Sequence, residues 1–338
     1  MRGLVVNEPG SFLGVKGDRI VVRKGGKVVA EIAASQLSFV QIATRGASIS
    51  GAALRLLLKN RVNVIVLDGY GRPVGRLLPL FRTGLKTVEQ QISALNDARG
   101  LTLAKAFAAA KVANQANLLR SISYNRRAGS PALSESLFEF SRNIRRYVDS
   151  ILGVGGVLSQ ARSEVVRLEA EAAELYWAGM ASVLAELGVD FPGRRKRFER
   201  PSDPANLLLN YGYGLLASRC VIALEFSGLD PYRGFLHVNS ARRPALAMDL
   251  MEEFRQPVVD RAVLNVLRER REGLVEGAGR LSREGRRVLI GVVVERLRQR
   301  VTFRDRALPI EAHILLQARR LALYLLGKSG EYRGFVER

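Results

Sequence analysis

The sequence contains a single cysteine and only two histidines among its 338 residues. Because one thiol cannot form an intramolecular disulfide, we expect the protein to work in a reducing cytoplasm. The cysteine, Cys220, lies in an apolar helical pattern, which predicts a buried and unreactive thiol. The N-terminal residues show no signal-peptide core, and no uncharged run reaches the roughly 20 residues that a membrane span needs, so we expect neither export nor membrane insertion.

The sequence also lacks the signatures of several classes of enzyme. It has no Walker loop, no Gly-x-Gly-x-x-Gly motif that opens a helix, no Cys/His spacing typical of zinc sites and no Ser-His-Asp candidate. These absences argue against chemistry driven by a bound nucleotide and against catalysis through a covalent intermediate on a side chain.

Acidic residues are few relative to basic ones. The 53 Lys and Arg residues outnumber the 32 Asp and Glu residues, which gives a formal net charge of +21 at pH 7. With 47% hydrophobic residues, the chain is expected to fold around a large core. A folded chain with this charge is typical of nucleic-acid-binding proteins, although association with ribosomes or with a membrane surface would also fit.

Residues 1–85 are predicted to form a small β-rich domain that could serve dimerisation. Two β-branched runs in residues 20–30 are joined by Gly25 and Gly26, a pattern typical of a β-hairpin. Ser50 is placed to cap a short helix. Further strands are predicted at residues 39–42, 62–68 and 74–78.

Residues 86–338 are predicted to form a larger all-α-helical domain, which makes the fold class α+β. Its main helices are predicted at residues 88–122, 134–152, 160–187, 258–271, 282–300 and 310–326. The basic residues interleaved along the first of these helices are Arg99, Lys105, Lys111 and Arg120. Asp203-Pro204 and Asp230-Pro231 each place a capping aspartate before a proline, so each pair predicts the start of a helix.

The histidine His237 closes a Gly- and Pro-containing turn at residues 228–237. The segment that follows is predicted to start a helix at Pro244, on which Asp249 and Glu252 share one face because they are three residues apart. An imidazole and two carboxylates that converge from a loop and a helix would suit a divalent metal ion, although carboxylates on an exposed helix face give the same spacing. The second histidine, His313, has no acidic residue at ligand spacing after it and is predicted to be structural.

Two basic segments are candidates for contacts with DNA phosphates. The first is a turn-rich loop that contains Arg194, Arg195, Lys196 and Arg197. The second is the pair Arg286 and Arg287 near the start of a C-terminal helix. Each phosphate contact would add affinity that falls with salt, although a solvated charge run is the ordinary explanation of such a loop.

Several motifs together resemble the CRISPR-associated integrases of the adaptation step, the first numbered family of CRISPR-associated proteins. The matching runs are Asp-Pro-Ala-Asn at 203–206, Asn-Tyr-Gly-Tyr at 210–213, Gly-Phe-Leu-His at 234–237, Met-Asp-Leu-Met-Glu-Glu-Phe-Arg at 248–255 and Val-Asp-Arg at 259–261. The resemblance extends over essentially the whole chain. It implies a small N-terminal β domain followed by an all-helical catalytic domain.

The resemblance also implies a metal site formed by Glu169, His237 and Glu252, with Asp249 as a nearby acidic helper. In the family the glutamate lies in Glu-Gly-x-Ala-Ala-x-x-Tyr, and the matching run here is 169–176, with alanine at the usual glycine position. That departure leaves Glu171 open as the ligand, while the spacing to Tyr176 favours Glu169. The implied cofactor is Mg²⁺ or Mn²⁺.

The activity implied by the resemblance is a metal-dependent DNA endonuclease and integrase. The 3′-hydroxyls of a short DNA fragment would attack the repeat array and insert the fragment as a new spacer. The implied partners are double-stranded DNA, a second copy of the chain in a homodimer, and the small ferredoxin-like protein of the second numbered family. The alternatives are a non-catalytic basic DNA-binding scaffold, in which the acidic cluster is a structural ion-pair network, and a stand-alone branched-DNA nuclease in repair.

Overall fold

The chain divides into two units, Met1–Thr83 and Gly84–Arg338. The computed structural model describes residues 2–67, 73–77, 84–240, 243–269, 272–277 and 279–337, with the side chains of Arg2, Ser38, Pro73 and Arg197 not described. Within these residues the first unit is rich in strands and the second is mostly helical. The predicted α+β fold class is therefore confirmed.

The strands of the first unit form two sheets. In chain order the described strands are β1 (Arg2–Val6), β2 (Ser11–Lys16), β3 (Arg19–Lys24), β4 (Lys27–Ala33), β5 (Leu37–Ile42), β6 (Ser48–Ile49), β7 (Asn63–Leu67) and β8 (Pro73–Leu77). One sheet has the order β1-β5-β7-β8 and the other has the order β4-β3-β2-β6. Strands β1, β5 and β7 pair in parallel, whereas β2, β3 and β4 form an antiparallel meander.

The local sequence signals of the first unit are confirmed. Strands β3 and β4 form the predicted hairpin, and both residues of its turn, Gly25 and Gly26, have positive φ, which glycine adopts without steric strain. Helix α1 (Gly51–Lys59) begins after Ser50, whose Oγ accepts a hydrogen bond from the Ala53 N–H at 3.1 Å. Apolar side chains of both sheets and of α1 form one buried core, which includes Leu13, Val40, Leu57 and Val64.

The second unit contains nine of the described α-helices and two short hairpins. The helices are α2 (Leu85–Ser93), α3 (Ala98–Arg126), α4 (Pro131–Gly153), α5 (Leu158–Glu186), α6 (Pro204–Phe226), α7 (Ala245–Glu252), α8 (Arg261–Glu269), α9 (Arg283–Arg298) and α10 (Ile310–Leu325). The hairpins are β9 (Val275–Glu276) with β10 (Arg280–Leu281), and β11 (Arg300–Phe303) with β12 (Arg306–Pro309). Helices α3, α4 and α5 pack against one another, and α6 packs against α7 and α10.

The predicted helix at residues 88–122 is two helices. A short 3₁₀ turn, Ala94–Asn96, separates α2 from α3. Asp97 then caps α3, because its Oδ1 accepts a hydrogen bond from the Arg99 N–H at 2.9 Å. The apolar periodicity continues across the break, so it did not reveal that Asp97 starts a new helix.

The two Asp-Pro pairs behave differently. Asp203 caps α6, with its Oδ1 accepting from the Asn206 N–H at 2.8 Å, as predicted. The prediction of a helix after Asp230 is wrong, since residues 228–239 contain no helix and Asp230 instead accepts from the Tyr232 N–H at 2.9 Å within the loop. The next helix is α7, which begins at Ala245.

Helix α6 is the one described helix that is long and apolar enough to cross a membrane by length and composition. However, 89% of its most apolar window is buried inside the protein, as in the central helix of a globular core. Cys220 lies on this helix and is fully buried, so its predicted burial is confirmed. Burial also raises the pKa of the Cys220 thiol well above its ordinary value, which keeps the thiol protonated and unreactive.

Candidate metal centre

The turn that carries His237 is held by one buried carboxylate. Asp249 on α7 is fully buried and accepts four hydrogen bonds. Its Oδ2 accepts from the backbone N–H groups of Phe235 at 2.6 Å and Leu236 at 3.0 Å. Its Oδ1 accepts from the His237 N–H at 2.8 Å and bonds the His237 ring at Nδ1, 2.7 Å away. With both oxygens saturated, Asp249 acts as the organiser of the turn and has no lone pair directed at a ligand.

Close backbone packing brings this turn onto α7. A Cβ atom on Gly234 would lie 2.7 Å from Asp249 Oδ2 and 2.8 Å from the Ala245 carbonyl carbon, so only glycine fits there. The Pro231 carbonyl accepts from the N–H groups of Leu246 at 2.9 Å and Ala247 at 3.2 Å, which satisfies two donors at the start of α7. The loop thus caps the helix that in turn anchors the loop.

A buried glutamine on α2 holds the other side of the loop. Gln91 donates from Nε2 to the Asp230 carbonyl at 2.8 Å and to the Arg233 carbonyl at 2.7 Å. Its Oε1 accepts from the Asp230 N–H at 2.9 Å. One side chain therefore fixes three backbone groups of the loop ahead of His237.

These bonds determine which ring nitrogen of His237 is available. Because Asp249 accepts from Nδ1–H, Nε2 carries the lone pair in the neutral ring. Nε2 lies 3.7 Å from Glu252 Oε1. Burial alone would lower the pKa of His237, but its hydrogen bond to Asp249 and the charges of Asp249 and Glu252 raise the pKa above the ordinary value.

The second carboxylate of α7, Glu252, is buried among cations. Its Oε1 lies 3.0 Å from Arg255 Nη2 and its Oε2 lies 3.1 Å from Lys111 Nζ. Burial would raise the pKa of Glu252, but the charges of Arg255, Lys111 and His237 lower it to about 2. Glu252 is therefore ionised at neutral pH, and its buried Oε2 accepts no aligned hydrogen bond from the described part of the chain.

The third predicted ligand, Glu169, reaches the same place from α5. Its Oε1 accepts a short hydrogen bond from Lys111 Nζ, the ammonium that also contacts Glu252. Glu171, two residues further along α5, instead pairs with Arg167 on the surface. Of the two glutamates left open by the sequence, the structure brings Glu169 to the group around His237.

Lys111 is the central cation of this group, and its role was missed in the sequence. In the sequence Lys111 is one of several basic residues interleaved along a predicted helix, whereas on α3 it is buried against two carboxylates. Burial would lower the pKa of Lys111, but the charges of Glu169 and Glu252 outweigh burial and raise it. A lysine within the otherwise apolar run of α3 is the signal that could have found it.

The donors fit a hard divalent cation in their chemistry, although they do not stand in a coordinating arrangement. One imidazole nitrogen with a fixed tautomer and two carboxylates are ligands that Mn²⁺ and Mg²⁺ accept, and Glu252 Oε2 is met by the Lys111 ammonium at 3.1 Å. Among the described residues, however, no group of three or more His, Cys, Asp or Glu side chains is placed to hold a metal ion. Lys111 Nζ lies between the carboxylates of Glu169 and Glu252.

A buried cluster of two tyrosines and an aspartate holds the arginine that pairs with Glu252. Asp260 is fully buried and accepts from the hydroxyls of Tyr176 on α5 and Tyr213 on α6, each at 2.6 Å. The guanidinium of Arg255 lies over the Tyr213 ring, 4.8 Å from its centroid. The cation that pairs with Glu252 is therefore held on an aromatic face whose hydroxyl is itself anchored.

Glu253, the neighbour of Glu252, fastens the C-terminal segment to α7. It is fully buried and accepts from the Phe335 N–H and from Gln317 Nε2, each at 2.7 Å, and from the Tyr332 hydroxyl. Asn114 on α3 donates from Nδ2 to the carbonyls of Glu253 and Phe335, each at 2.9 Å. Burial, the dominant effect, raises the pKa of Glu253 to about 7 despite the donors that face it.

The predicted DNA contacts differ in their exposure. Arg194 turns inward: it donates to Asn206 Oδ1 at 2.8 Å and to Asn210 Oδ1 at 2.7 Å, and it lies over the rings of Trp177 and Tyr213. Arg195 and Lys196 are exposed. The side chain of Arg197 lies outside the described part of the chain.

The second basic segment is the first turn of α9. Arg286 donates to the Leu281 carbonyl at 2.8 Å, and Arg287 pairs with Glu284 at 2.9 Å on the exposed face. Contact of either segment with DNA stays a prediction. His313 is buried, with Nε2 2.9 Å from the Val301 carbonyl, in keeping with a structural role.

Comparisons with known proteins identify relatives over the full length. The family model described as "CRISPR associated protein Cas1" matches residues 4–336. A CRISPR-associated endonuclease Cas1 from Archaeoglobus fulgidus is 38% identical over 348 aligned positions, which cover 99% of this chain and 99% of that protein.

Solved structures share the fold. A casposase bound to its integration product superposes with a TM-score of 0.81 at 25% identity and covers 98% of this chain and 93% of that one. A Cas6-RT-Cas1–Cas2 complex contains a region with a TM-score of 0.78 at 22% identity, which covers all of this chain and 36% of that one. At that identity the second likeness supports the fold alone.

Proposed function

The chain belongs to the Cas1 family, and we propose that it is a metal-dependent DNA endonuclease and integrase of CRISPR adaptation. In this role it joins the 3′-hydroxyls of a short DNA fragment to phosphodiesters of the repeat array, so that the fragment becomes a new spacer. The nuclease and integrase classes are supported by the names of the A. fulgidus relative and of the casposase.

The observation that carries the proposal is the arrangement of His237, Asp249 and Glu252. Asp249 fixes the tautomer of His237 and leaves Nε2 free, 3.7 Å from a buried, ionised carboxylate. A histidine that serves only the core has no need of a second carboxylate at its free nitrogen. A carboxylate that accepts a hydrogen bond from one ring nitrogen and so orients the other is typical of histidines that bind metal ions.

Glu169, His237 and Glu252 would hold Mg²⁺ or Mn²⁺. The chemistry that such an ion supplies when bound is charge neutralisation at the phosphate and activation of a hydroxyl. The chain's own part is to keep Glu252 ionised through Arg255 and Lys111, and to keep the imidazole aimed by Asp249.

No protein nucleophile is required by this reaction, because the attacking group is a hydroxyl of DNA. The buried, protonated thiol of Cys220 agrees with that expectation. Of the predicted phosphate contacts whose side chains the structure describes, Arg195, Lys196 and Arg287 are exposed, and Arg287 pairs with Glu284. Arg194 would act by holding that loop to α6.

The partners belong to the same proposal. Pairing with the small ferredoxin-like Cas2 protein is proposed from membership of the Cas1 family. Homodimerisation through the first unit is supported by the edge position of β4, which exposes Val28 and Val29. Sedimentation of the purified full-length chain would measure the dimer directly.

One observation favours a second candidate function. Lys111 joins Glu169 and Glu252 into an ion-pair cluster, which is what a non-catalytic DNA-binding scaffold would use for stability. Under this alternative, DNA binding needs no metal ion, and removal of Glu169 or Glu252 affects folding and not chemistry.

The test is a strand-transfer assay. A labelled short duplex with 3′-hydroxyls is mixed with a supercoiled plasmid that carries repeats, in Mn²⁺ or in EDTA, with and without the Cas2-type partner. Glu169→Ala and Glu171→Ala form a matched pair, because both are glutamates of α5 but only Glu169 reaches the site. His237→Ala completes the set.

We expect transfer of label that requires Mn²⁺, that is lost in Glu169→Ala and His237→Ala, and that persists in Glu171→Ala. Nicking without transfer, even when the partner is present, would favour a stand-alone nuclease. Tight DNA binding with neither nicking nor transfer in divalent metal ions would refute the enzyme proposal and favour the DNA-binding scaffold.

A further inference from the structure

Lys111 occupies the position between the two carboxylates that the proposed metal site needs. Its Nζ donates to Glu169 Oε1 and lies 3.1 Å from Glu252 Oε2. The other oxygen of Glu252 is already paired with Arg255, 3.0 Å away. The oxygen that faces Lys111 is therefore the one that remains available to a metal ion.

The charges explain why a cation must be present here. Glu169 and Glu252 come from different helices, α5 and α7, and both are largely buried, as is Lys111 on α3. Two carboxylates so placed repel each other in a medium of low polarity unless a cation lies between them. Lysine suits a cation that can move, since its ammonium is a compact charge on a flexible stem, whereas an arginine forms a rigid two-pronged pair with carboxylate.

We infer that Lys111 is an exchangeable internal cation of the metal centre. In the metal-free protein its ammonium holds Glu169 and Glu252 together, and a divalent ion binds only when the ammonium leaves the two carboxylates. Lys111 thereby sets the affinity of the site for metal and stabilises the site without metal. This inference rests on the proposed metal site and adds a residue that competes for it.

The test measures metal binding and not activity. Lys111→Met keeps the length of the stem and removes the charge. Mn²⁺ affinity is measured by titration calorimetry on the full-length protein, and the melting temperature is measured in EDTA and in Mn²⁺. We expect Lys111→Met to bind Mn²⁺ about tenfold more tightly than the wild type. We also expect it to melt roughly 5 °C lower in EDTA, because two buried carboxylates lose their shared partner.

Two further variants separate displacement from other effects. Lys105→Met removes a lysine of the same helix whose Nζ donates to the carbonyls of Leu152 at 2.9 Å and Val154 at 2.8 Å, so its Mn²⁺ affinity should equal that of the wild type. Lys111→Arg keeps the charge but pairs more firmly with carboxylate, and we expect it to bind Mn²⁺ about tenfold more weakly. If Lys111→Met does not fold, the Mn²⁺ affinity of Lys111→Arg alone tests the inference.

The outcomes distinguish this inference from the proposed function. If the wild type binds Mn²⁺ through His237 but neither Lys111 variant shifts the affinity in the expected direction, the metal site stands and the exchange is refuted. If Lys111→Met binds Mn²⁺ and the wild type does not, the exchange is supported in its strongest form. If neither binds, the metal site is wrong and the exchange falls with it.

Discussion

Replacing Asp249 with asparagine tests whether one carboxylate organises the His237 turn. Four donors converge on its two oxygens: three backbone N–H groups at 2.6 to 3.0 Å and His237 Nδ1 at 2.7 Å. An asparagine side chain has one oxygen, so in either orientation its amide nitrogen faces two donors. The substitution keeps the volume of the side chain and removes half of its acceptors.

The expected loss can be worked out from those two bonds. A hydrogen bond to a charged group contributes about 1.5–3 kcal/mol, so two lost bonds amount to at most about 3–6 kcal/mol. Some of this is recovered by local adjustment, and we expect Asp249→Asn to lower the free energy of unfolding by about 3 kcal/mol. For a unit of this size, that corresponds to a melting temperature lower by roughly 6 °C.

Thermal unfolding in EDTA and Mn²⁺ titration are the two measurements, with Asp230→Asn as the matched control. Asp230 lies in the same loop but accepts one backbone N–H bond, from Tyr232, which an asparagine oxygen can still accept, and its ion pair with Arg233 at 3.5 Å is partly exposed and contributes little. We expect the control to unfold like the wild type and Asp249→Asn to lose about 10–100-fold in metal affinity as the imidazole loses its orientation. If Asp249→Asn unfolded at the wild-type temperature, Asp249 could not be the organiser of the turn. If it lost stability but bound Mn²⁺ normally, something other than Asp249 would orient His237.

Three further substitutions probe the surroundings of the site. Burial raises the pKa of Glu253 from 4.5 to about 7, so the stability contributed by its protonated form is fully present below pH 4.5 and is lost as the pH rises through 7. Glu253→Gln should therefore be more stable than the wild type by about 2–3 kcal/mol at pH 8 and similar to it at pH 4.5, as measured by denaturant unfolding in EDTA. A Cβ on Gly212 would lie 2.5 Å from Val259 Cγ1, so Gly212→Ala should cost about 1–3 kcal/mol in the same assay, and a neutral result would mean that α6 can move away. Tyr176→Phe removes one of the two hydroxyls that bond Asp260 and should cost about 1.5–3 kcal/mol; a loss below 0.5 kcal/mol would show that Asp260 gains little from the pair.

The elements that the sequence predicted well are those specified by neighbouring residues. The Gly25-Gly26 turn requires positive φ, and Ser50 and Asp203 each satisfy an N–H three residues further on. The prediction after Asp230 failed because the same residue type can close a loop turn as readily as it caps a helix. Hairpins β9–β10 and β11–β12 were missed, since they are too short for an alternating pattern.

In the candidate site, too, some residues could be predicted from the sequence and others could not. The motifs predicted Glu169, His237 and Glu252, and the structure brings the side chains of all three to one place. The partners that control them could not be predicted from spacing. Lys111 lies 58 positions from Glu169 in the chain, and only the packing of α3 against α5 makes them neighbours.

Segment 249–260 contains four buried carboxylates, and the groups that surround each one determine whether it can orient a side chain, bind a ligand or anchor a segment. Asp249 is saturated by four donors, so it can orient but has no oxygen to offer a ligand. Glu252 is faced by the cations Arg255 and Lys111, and the oxygen that meets Lys111 would suit a metal ion once the ammonium has left it. Glu253 and Asp260 are met by uncharged donors, and burial raises the pKa of both, which suits anchors that need not be ionised. Since all four side chains are carboxylates, what separates the proposed ligand from the anchors is the charge of the donor that each one meets, and most of those donors lie outside the segment, as Lys111 on α3 and Tyr176 on α5 do.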